Sequence, residues 1–110
     1  MSFSVVITPE ASEELKEIYR YIAYHFRSPI TAERWFDRLT QAALSLAVMP
    51  ERNHLFYEEP WFSIGVRVMN IGNYSILYQV NSETEEVSVL HFLYGRRDIV
   101  VILEKDSRIR

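Results

Sequence analysis

The sequence predicts an α+β fold with the element order β-α-α-β-β-β, a helical hairpin packed on a sheet that is antiparallel after its N-terminal strand. Three observations carry this. The apolar period switches from 3.6 to 2 residues near residue 62. A hydroxyl residue followed by proline occurs twice, at Thr8-Pro9 and Ser28-Pro29, each just ahead of a helical stripe. Gly72-Asn73 lies between two runs rich in strand-forming residues, as a two-residue hairpin turn requires.

Each element has a local cause. Phe3 to Ile7 is aromatic and β-branched and reads as the first strand. Thr8 can cap the free N–H groups of a helix, and Pro9 at its first position sacrifices no hydrogen bond. Ala11, Leu15, Ile18, Ile22 and Phe26 then form one apolar stripe, which predicts a helix ending near Phe26 or Arg27. Ser28-Pro29 repeats the start signal. Ala32, Phe36, Leu39, Ala43, Leu46 and Ala47 make the second stripe, with Pro50 as its stop. The short gap between the helices predicts an antiparallel pair. Pro50, Asn53 and Pro60 mark a loop over 50–62. Val66 to Ile71, Tyr74 to Val80 and Val87 to Tyr94 read as three strands, joined by Gly72-Asn73 and by the polar stretch Asn81 to Glu86. Ile99 to Leu103 is wholly aliphatic and reads either as an extra strand or as an exposed surface for a partner.

The chain has 110 residues, which suits a single domain over 1–110. Hydrophobic residues make up 48% and charged residues 25%, the mix of a globular protein. The absence of cysteine removes disulfides, thiolate nucleophiles and cysteine-based zinc sites. Residues 1–9 lack the basic start and apolar stretch of a signal peptide, and no apolar run approaches the roughly 20 residues that span a bilayer, so a cytoplasmic protein with no membrane partner is expected. The formal net charge is −3, which disfavours bulk electrostatic binding of nucleic acid. Residues 1–60 carry 6 Lys+Arg against 9 Asp+Glu and residues 61–110 carry 6 against 6, so a local basic site is confined to the second half.

His25, His54 and His91 are far apart and none has metal-ligand spacing to another, so neither metal nor cofactor is expected. With 3 glycines there is no phosphate-binding glycine loop. What remains is the sheet with its arginines. Arg67 lies on the first strand of the meander, Arg96 and Arg97 follow the last, and His91, Tyr94 and Tyr78 lie on the same unit. Converged on one face, these residues could hold a phosphate and support RNA cleavage, the arginines stabilising charge and His91 or Tyr94 moving protons. The alternative reading gives each a structural role: Arg67 in a surface ion pair, Arg96, Arg97 and Asp98 as an ion-pair corner, and His91, alternating with Val89 and Leu93, as a hydrogen-bonded core histidine.

The whole pattern resembles the RelE/ParE superfamily of toxins from bacterial type II toxin–antitoxin systems. The resemblance runs over residues 3–98 and rests on Ala11 to Ile18 with Tyr21-Ile22, Thr31-Ala32-Glu33-Arg34, Leu46 to Pro50, Gly65-Val66-Arg67, Tyr74 to Tyr78, and Val89-Leu90-His91 to Tyr94-Gly95-Arg96-Arg97-Asp98. It implies a growth-inhibiting toxin, of the kind that also stabilises plasmids, neutralised by a cognate protein antitoxin. Two activities divide the superfamily: ParE-like inhibition of DNA gyrase and RelE-like, metal-independent cleavage of ribosome-bound messenger RNA. Ser75 stands where the ribonucleases carry an arginine, and no tyrosine occurs in Ile99 to Leu103, where they carry one. Those departures tell against the RelE mechanism, and the well-marked helix pair and the Gly-Arg-Arg-Asp ending resemble ParE. If the chain is a ribonuclease, Arg67, His91, Tyr94, Arg96 and Arg97 are the catalytic candidates by their place on neighbouring strands, and the resemblance matches Arg67 and Arg97 to two of the ribonucleases' basic positions. A protein-binding module of the same fold without toxicity is the third reading.

The partner expectation rests on surface physics. Ile99 to Leu103, Tyr21 and Trp35 are hard to bury in so small a chain, and contiguous apolar surface marks a binding site. An antitoxin segment could occupy it as a helix in a groove or as an added strand, in a hetero-oligomer or beside a homodimer.

Overall fold

The computed structural model describes residues 2–95 and 98–109. Strand β1 (Ser4–Ile7) leads into helices α1 (Pro9–His25) and α2 (Pro29–Leu44), followed by strands β2 (Arg67–Ile71), β3 (Tyr74–Asn81) and β4 (Glu86–Tyr94) and a third helix, α3 (Ile99–Lys105). The sheet order is β1-β4-β3-β2. β2, β3 and β4 are antiparallel neighbours, and β1 closes the sheet parallel to β4. The expected order is thus present with one helix added at its end.

The caps are those the sequence predicts. The Thr8 hydroxyl oxygen accepts from the Ala11 N–H at 3.2 Å and donates to the Val89 carbonyl at 2.9 Å, so one side chain starts α1 and ties it to β4. Ser28 accepts from the Thr31 N–H at 3.2 Å. α1 closes with Phe26 at its cap and Arg27 left-handed at φ 48°. α2 stops at Leu44, earlier than Pro50 alone would force. There the Arg52 guanidinium gathers the carbonyls of Ser45 and Val48, at 3.2 and 2.6 Å, adding partners for the acceptors at the helix end. At the β2–β3 turn only Gly72 takes a positive φ, 59°, and Asn73 does not, the pattern of a type II′ hairpin. A Cβ on Gly72 would lie 3.0 Å from the Trp35 ring, so packing as well as the turn requires glycine there.

The sheet is buried on both faces. Met69, Ile76, Tyr78, Val87, Val89 and Phe92 face the hairpin, with Leu15, Ile22, Leu39 and Leu46 opposite. Val66, Val68, Leu77 and Leu90 face a second cluster of Phe56, Trp61, Ile99, Leu103 and Ile109. The register of β3 on β4 slips between Leu77 and Tyr78, which pair with His91 and Val89 and leave Leu90 as the bulged residue. The bulge reverses the alternation, so Val89 and Phe92 both reach the hairpin core. His91 therefore shares a face with Leu93 and its partner Leu77, and not with Val89 as strict alternation suggests.

Ile99 to Leu103 is neither a strand nor an exposed patch. It is the start of α3, in which Ile99 is 3% and Leu103 1% exposed, and the position between them, Val101, is 47% exposed. Residues four apart fall on one side of a helix, so a continuous aliphatic run presents only part of itself to the sheet. No helix among the described residues is long and apolar enough to cross a membrane.

Candidate functional site

The residues singled out from the sequence separate into different places. Arg67 stands at one end of β2, opposite Tyr78, and its side chain is only 18% exposed. Its guanidinium donates to the carbonyls of Asn53 at 2.6 Å and Glu51 at 3.3 Å and pairs with the Glu51 carboxylate at 3.7 Å. It fastens the loop after α2 to the sheet edge. The loop adds two backbone bonds of its own there, from Phe56 to Val66 and from Val68 to His54. Tyr78 is fully buried on the hairpin face; its hydroxyl donates to the Pro50 carbonyl at 2.6 Å and accepts from Asn53 Nδ2 at 3.1 Å. Burial raises its pKa, against the opposing pull of Asn53, Arg67 and Arg52. Tyr94 lies at the other end of the sheet, where Ile71, Tyr74 and Tyr94 are in register. Four residues of strand put it about 13 Å from Arg67 along the strand direction. Arg96 and Arg97 lie outside the described residues.

His91 is held on both sides. Its Nδ1 lies 2.9 Å from Glu14 Oε2 and its Nε2 2.7 Å from Asp106 Oδ2. Glu14 reaches it from α1, past the point where β1 ends, and also accepts from the Phe92 N–H at 3.3 Å. Its carboxylate thus takes over the role of a neighbouring strand at the open edge of β4. Asp106 in turn accepts from Arg108, whose guanidinium also pairs with Glu10 at 2.8 Å. Burial opposes charging the His91 ring, but the hydrogen bonds and charge of Glu14 and then Asp106 outweigh it and hold the pKa above the usual histidine value. Arg108 and its hydrogen bonds keep Asp106 well below the usual carboxylate range, although burial opposes this. Two carboxylates on two ring nitrogens require both nitrogens to donate, which is the imidazolium form. Such a ring has no lone pair with which to take a proton. Among the described residues no group of three or more His, Asp or Glu side chains is arranged to hold a metal.

Tyr94 belongs to a second feature, an open groove of about 470 Å³ between the hairpin tip and the β2–β3 turn. Ile22 and Phe26 of α1, Trp35 and Arg38 of α2, and Tyr74 and Tyr94 of the sheet line it. The rings are in contact: Trp35 with Tyr74 at 5.0 Å, Tyr74 with Tyr94 edge-on at 5.3 Å, and the Arg38 guanidinium over Trp35 at 4.8 Å. Tyr94 is 63% exposed, and Phe26 with its neighbour Tyr21 adds exposed apolar surface at the groove. Burial raises the pKa of Tyr74, and the nearby Tyr94 and Tyr21 add to the shift. Among the described residues the groove displays aromatic surface and one cation, and no carboxylate lines it.

The sequence points to Trp35, Tyr21 and Tyr94 but not to Glu14, Asp106 and Arg108. The one local sign of the carboxylate pair on α1 is the four-residue spacing of Glu10 and Glu14, which puts both on one helix face.

A family model described as ParE toxin of type II toxin–antitoxin system, parDE, matches residues 5–99. No curated protein matches the chain in sequence. Among solved structures, the chromosomal ParDE system from P. aeruginosa matches with a TM-score of 0.67 at 19% identity, covering 86% of this chain and 98% of that one. The toxin–antitoxin complex RelBE2 from Mycobacterium tuberculosis matches at 0.65 and 20%, covering 86% and 92%. A mutant E. coli RelE toxin in the free state matches at 0.62 and 18% over 100% of both chains. At these identities the likeness is one of fold.

Proposed function

Because the chain belongs to the ParE toxin family of type II toxin–antitoxin systems, we propose that it poisons the cell by inhibiting DNA gyrase and is silenced by a cognate protein antitoxin. The observation that carries the choice of gyrase is the clamping of His91 between Glu14 and Asp106. RNA cleavage needs a group to take the 2′-hydroxyl proton and charge partners free to meet the phosphate. His91 has no free nitrogen, Arg67 is spent on main-chain carbonyls and Glu51, and α3 with residues 56–61 covers the sheet face that His91 shares with Leu77. A protein that acts by docking on another protein needs none of these groups.

The ribonuclease reading keeps one support, the exposed Tyr94 directly ahead of Gly95 and the arginine pair Arg96-Arg97. One paired assay separates the two. The purified chain is expected to inhibit gyrase supercoiling and to leave a ribosome-bound message intact. Message cleavage with unaffected supercoiling would reverse the assignment, and normal growth during expression of the chain alone would remove the toxin reading itself.

The aromatic groove is the surface proposed for the antitoxin. An amphipathic segment could seat apolar side chains against Phe26, Trp35 and Tyr94 and set a carboxylate against Arg38. Tyr94→Ala removes an exposed anchor without opening the core, so it should weaken antitoxin binding by about tenfold or more and leave stability within about 0.5 kcal/mol. Unchanged affinity in calorimetric titration would move the antitoxin to another surface.

A further inference from the structure

We propose that residues 98–109 form a strap over the second face of the sheet, fastened to α1 by protonated His91 and loosened when that proton leaves. The strap consists of α3 and the turn Ser107–Ile109, and it covers Leu77 and Leu90 with Ile99, Leu103 and Ile109. Its polar fastening lines a cleft of about 290 Å³. α1 contributes the carboxylates of Glu10 and Glu14, the strap contributes Lys105, Asp106 and Arg108, and β4 contributes His91 alone. Three carboxylates thus face Lys105 and Arg108, and the imidazolium supplies the third positive charge.

A neutral ring keeps one N–H. Its other nitrogen then turns a lone pair toward a carboxylate oxygen less than 3 Å away, so either the Glu14 link to α1 or the Asp106 link to the strap is lost. Arg108 also pairs with the more exposed Glu10 of α1, a type of contact that contributes little. The sign follows from the direction of the shift. The folded-state pKa of His91 lies above its ordinary value, so the fastening is complete below that value and weakens as pH rises through the folded one. The device therefore opens on the alkaline side of the ordinary histidine range. It does not depend on which target the toxin has.

Hydrogen exchange of the full chain, followed by mass spectrometry from pH 6 to pH 9 and corrected for intrinsic rates, tests this. Losing one hydrogen bond to a charged group should raise strap opening about tenfold or more. Peptides of residues 98–109 should lose protection by that factor while α1 and α2 keep theirs. His91→Gln, which can donate to one carboxylate at any pH, should abolish the pH dependence. Protection of the strap that stays constant to pH 9, or a pH dependence that survives in His91→Gln, would overturn the proposal. If that variant does not fold, nitrogen NMR of the unsubstituted protein decides. Both ring nitrogens should carry protons at pH 6, below the ordinary histidine value; a single neutral tautomer there would overturn the strap.

Discussion

Phe92→Ala is expected to lower the free energy of unfolding by about 3–5 kcal/mol, the range for a large aromatic side chain removed from a core. Phe92 is 2% exposed and lies opposite Ile76 in the cluster between sheet and hairpin. Its neighbours cannot fill the gap. Ala11, Ala32 and Ala43 are fully buried and already bring the helices close to the strands. The main chain at residue 92 is fixed as well, by the bulge beside it and by Glu14 on its N–H. The loss is therefore expected at the cavity-dominated end, without relaxation by collapse. Urea unfolding should give a lower midpoint at unchanged slope. A domain of this size holds roughly 5–15 kcal/mol in all, so the variant should also lose toxicity through reduced folded abundance. A loss below about 1 kcal/mol would mean that the hairpin settles into the space.

Local chemistry explains which parts of this fold were legible in the sequence. The two helix starts were readable because each depends on neighbours only: a hydroxyl oxygen, a proline and the N–H three residues on. The Gly72 turn was readable for the same reason. The α3 helix was not, because a short aliphatic run has the same appearance whether it forms a strand or one turn and a half of helix. What decides it is the apolar face of the sheet that receives Ile99 and Leu103, a contact between distant parts of the chain. The bulge at Leu90 was equally hidden. It moves His91 out of the alternation and beside a carboxylate that stands 77 positions earlier.

The functional residues divide along the same line. Tyr21 and Trp35 were visible as rings flanking the apolar helix stripes and Tyr94 as a phenol just ahead of the arginine pair, and they meet at one groove or its rim. Arg67 and His91 were visible as chemistry, yet their partners, the Asn53 and Glu51 carbonyls in one case and two carboxylates in the other, turn them into fasteners. A residue type that could catalyse is recognised in sequence; a free lone pair or an unpaired guanidinium is a property of the surroundings.

Asp106→Ala is expected to cost about 3 kcal/mol or more at pH 7, the effect of removing one partner from a buried ion pair. Asp106 accepts from His91 Nε2 at 2.7 Å, from Arg108 Nε at 2.8 Å and from the Arg108 N–H at 3.0 Å. Alanine leaves the ring nitrogen and the guanidinium facing each other across a gap with Glu10 and Glu14 on the far sides. Asp106→Asn keeps the size and one acceptor oxygen but no charge, so it should recover part of the loss. The pH dependence separates an ionic role from a packing role. Asp106 has a depressed pKa, so its contribution is complete above the ordinary carboxylate value near 4 and is lost as pH falls through the lower folded-state value. The gap between wild type and alanine variant should therefore persist at pH 5. On the alkaline side it should narrow, because His91 gives up its proton there and the bond to Asp106 weakens in the wild type too. Urea unfolding at pH 5, 7 and 9 reads both limbs. A gap that is the same at pH 9 as at pH 5 would mean either that the neutral ring keeps its N–H on Asp106 and gives up Glu14, or that Asp106 works through Arg108 alone.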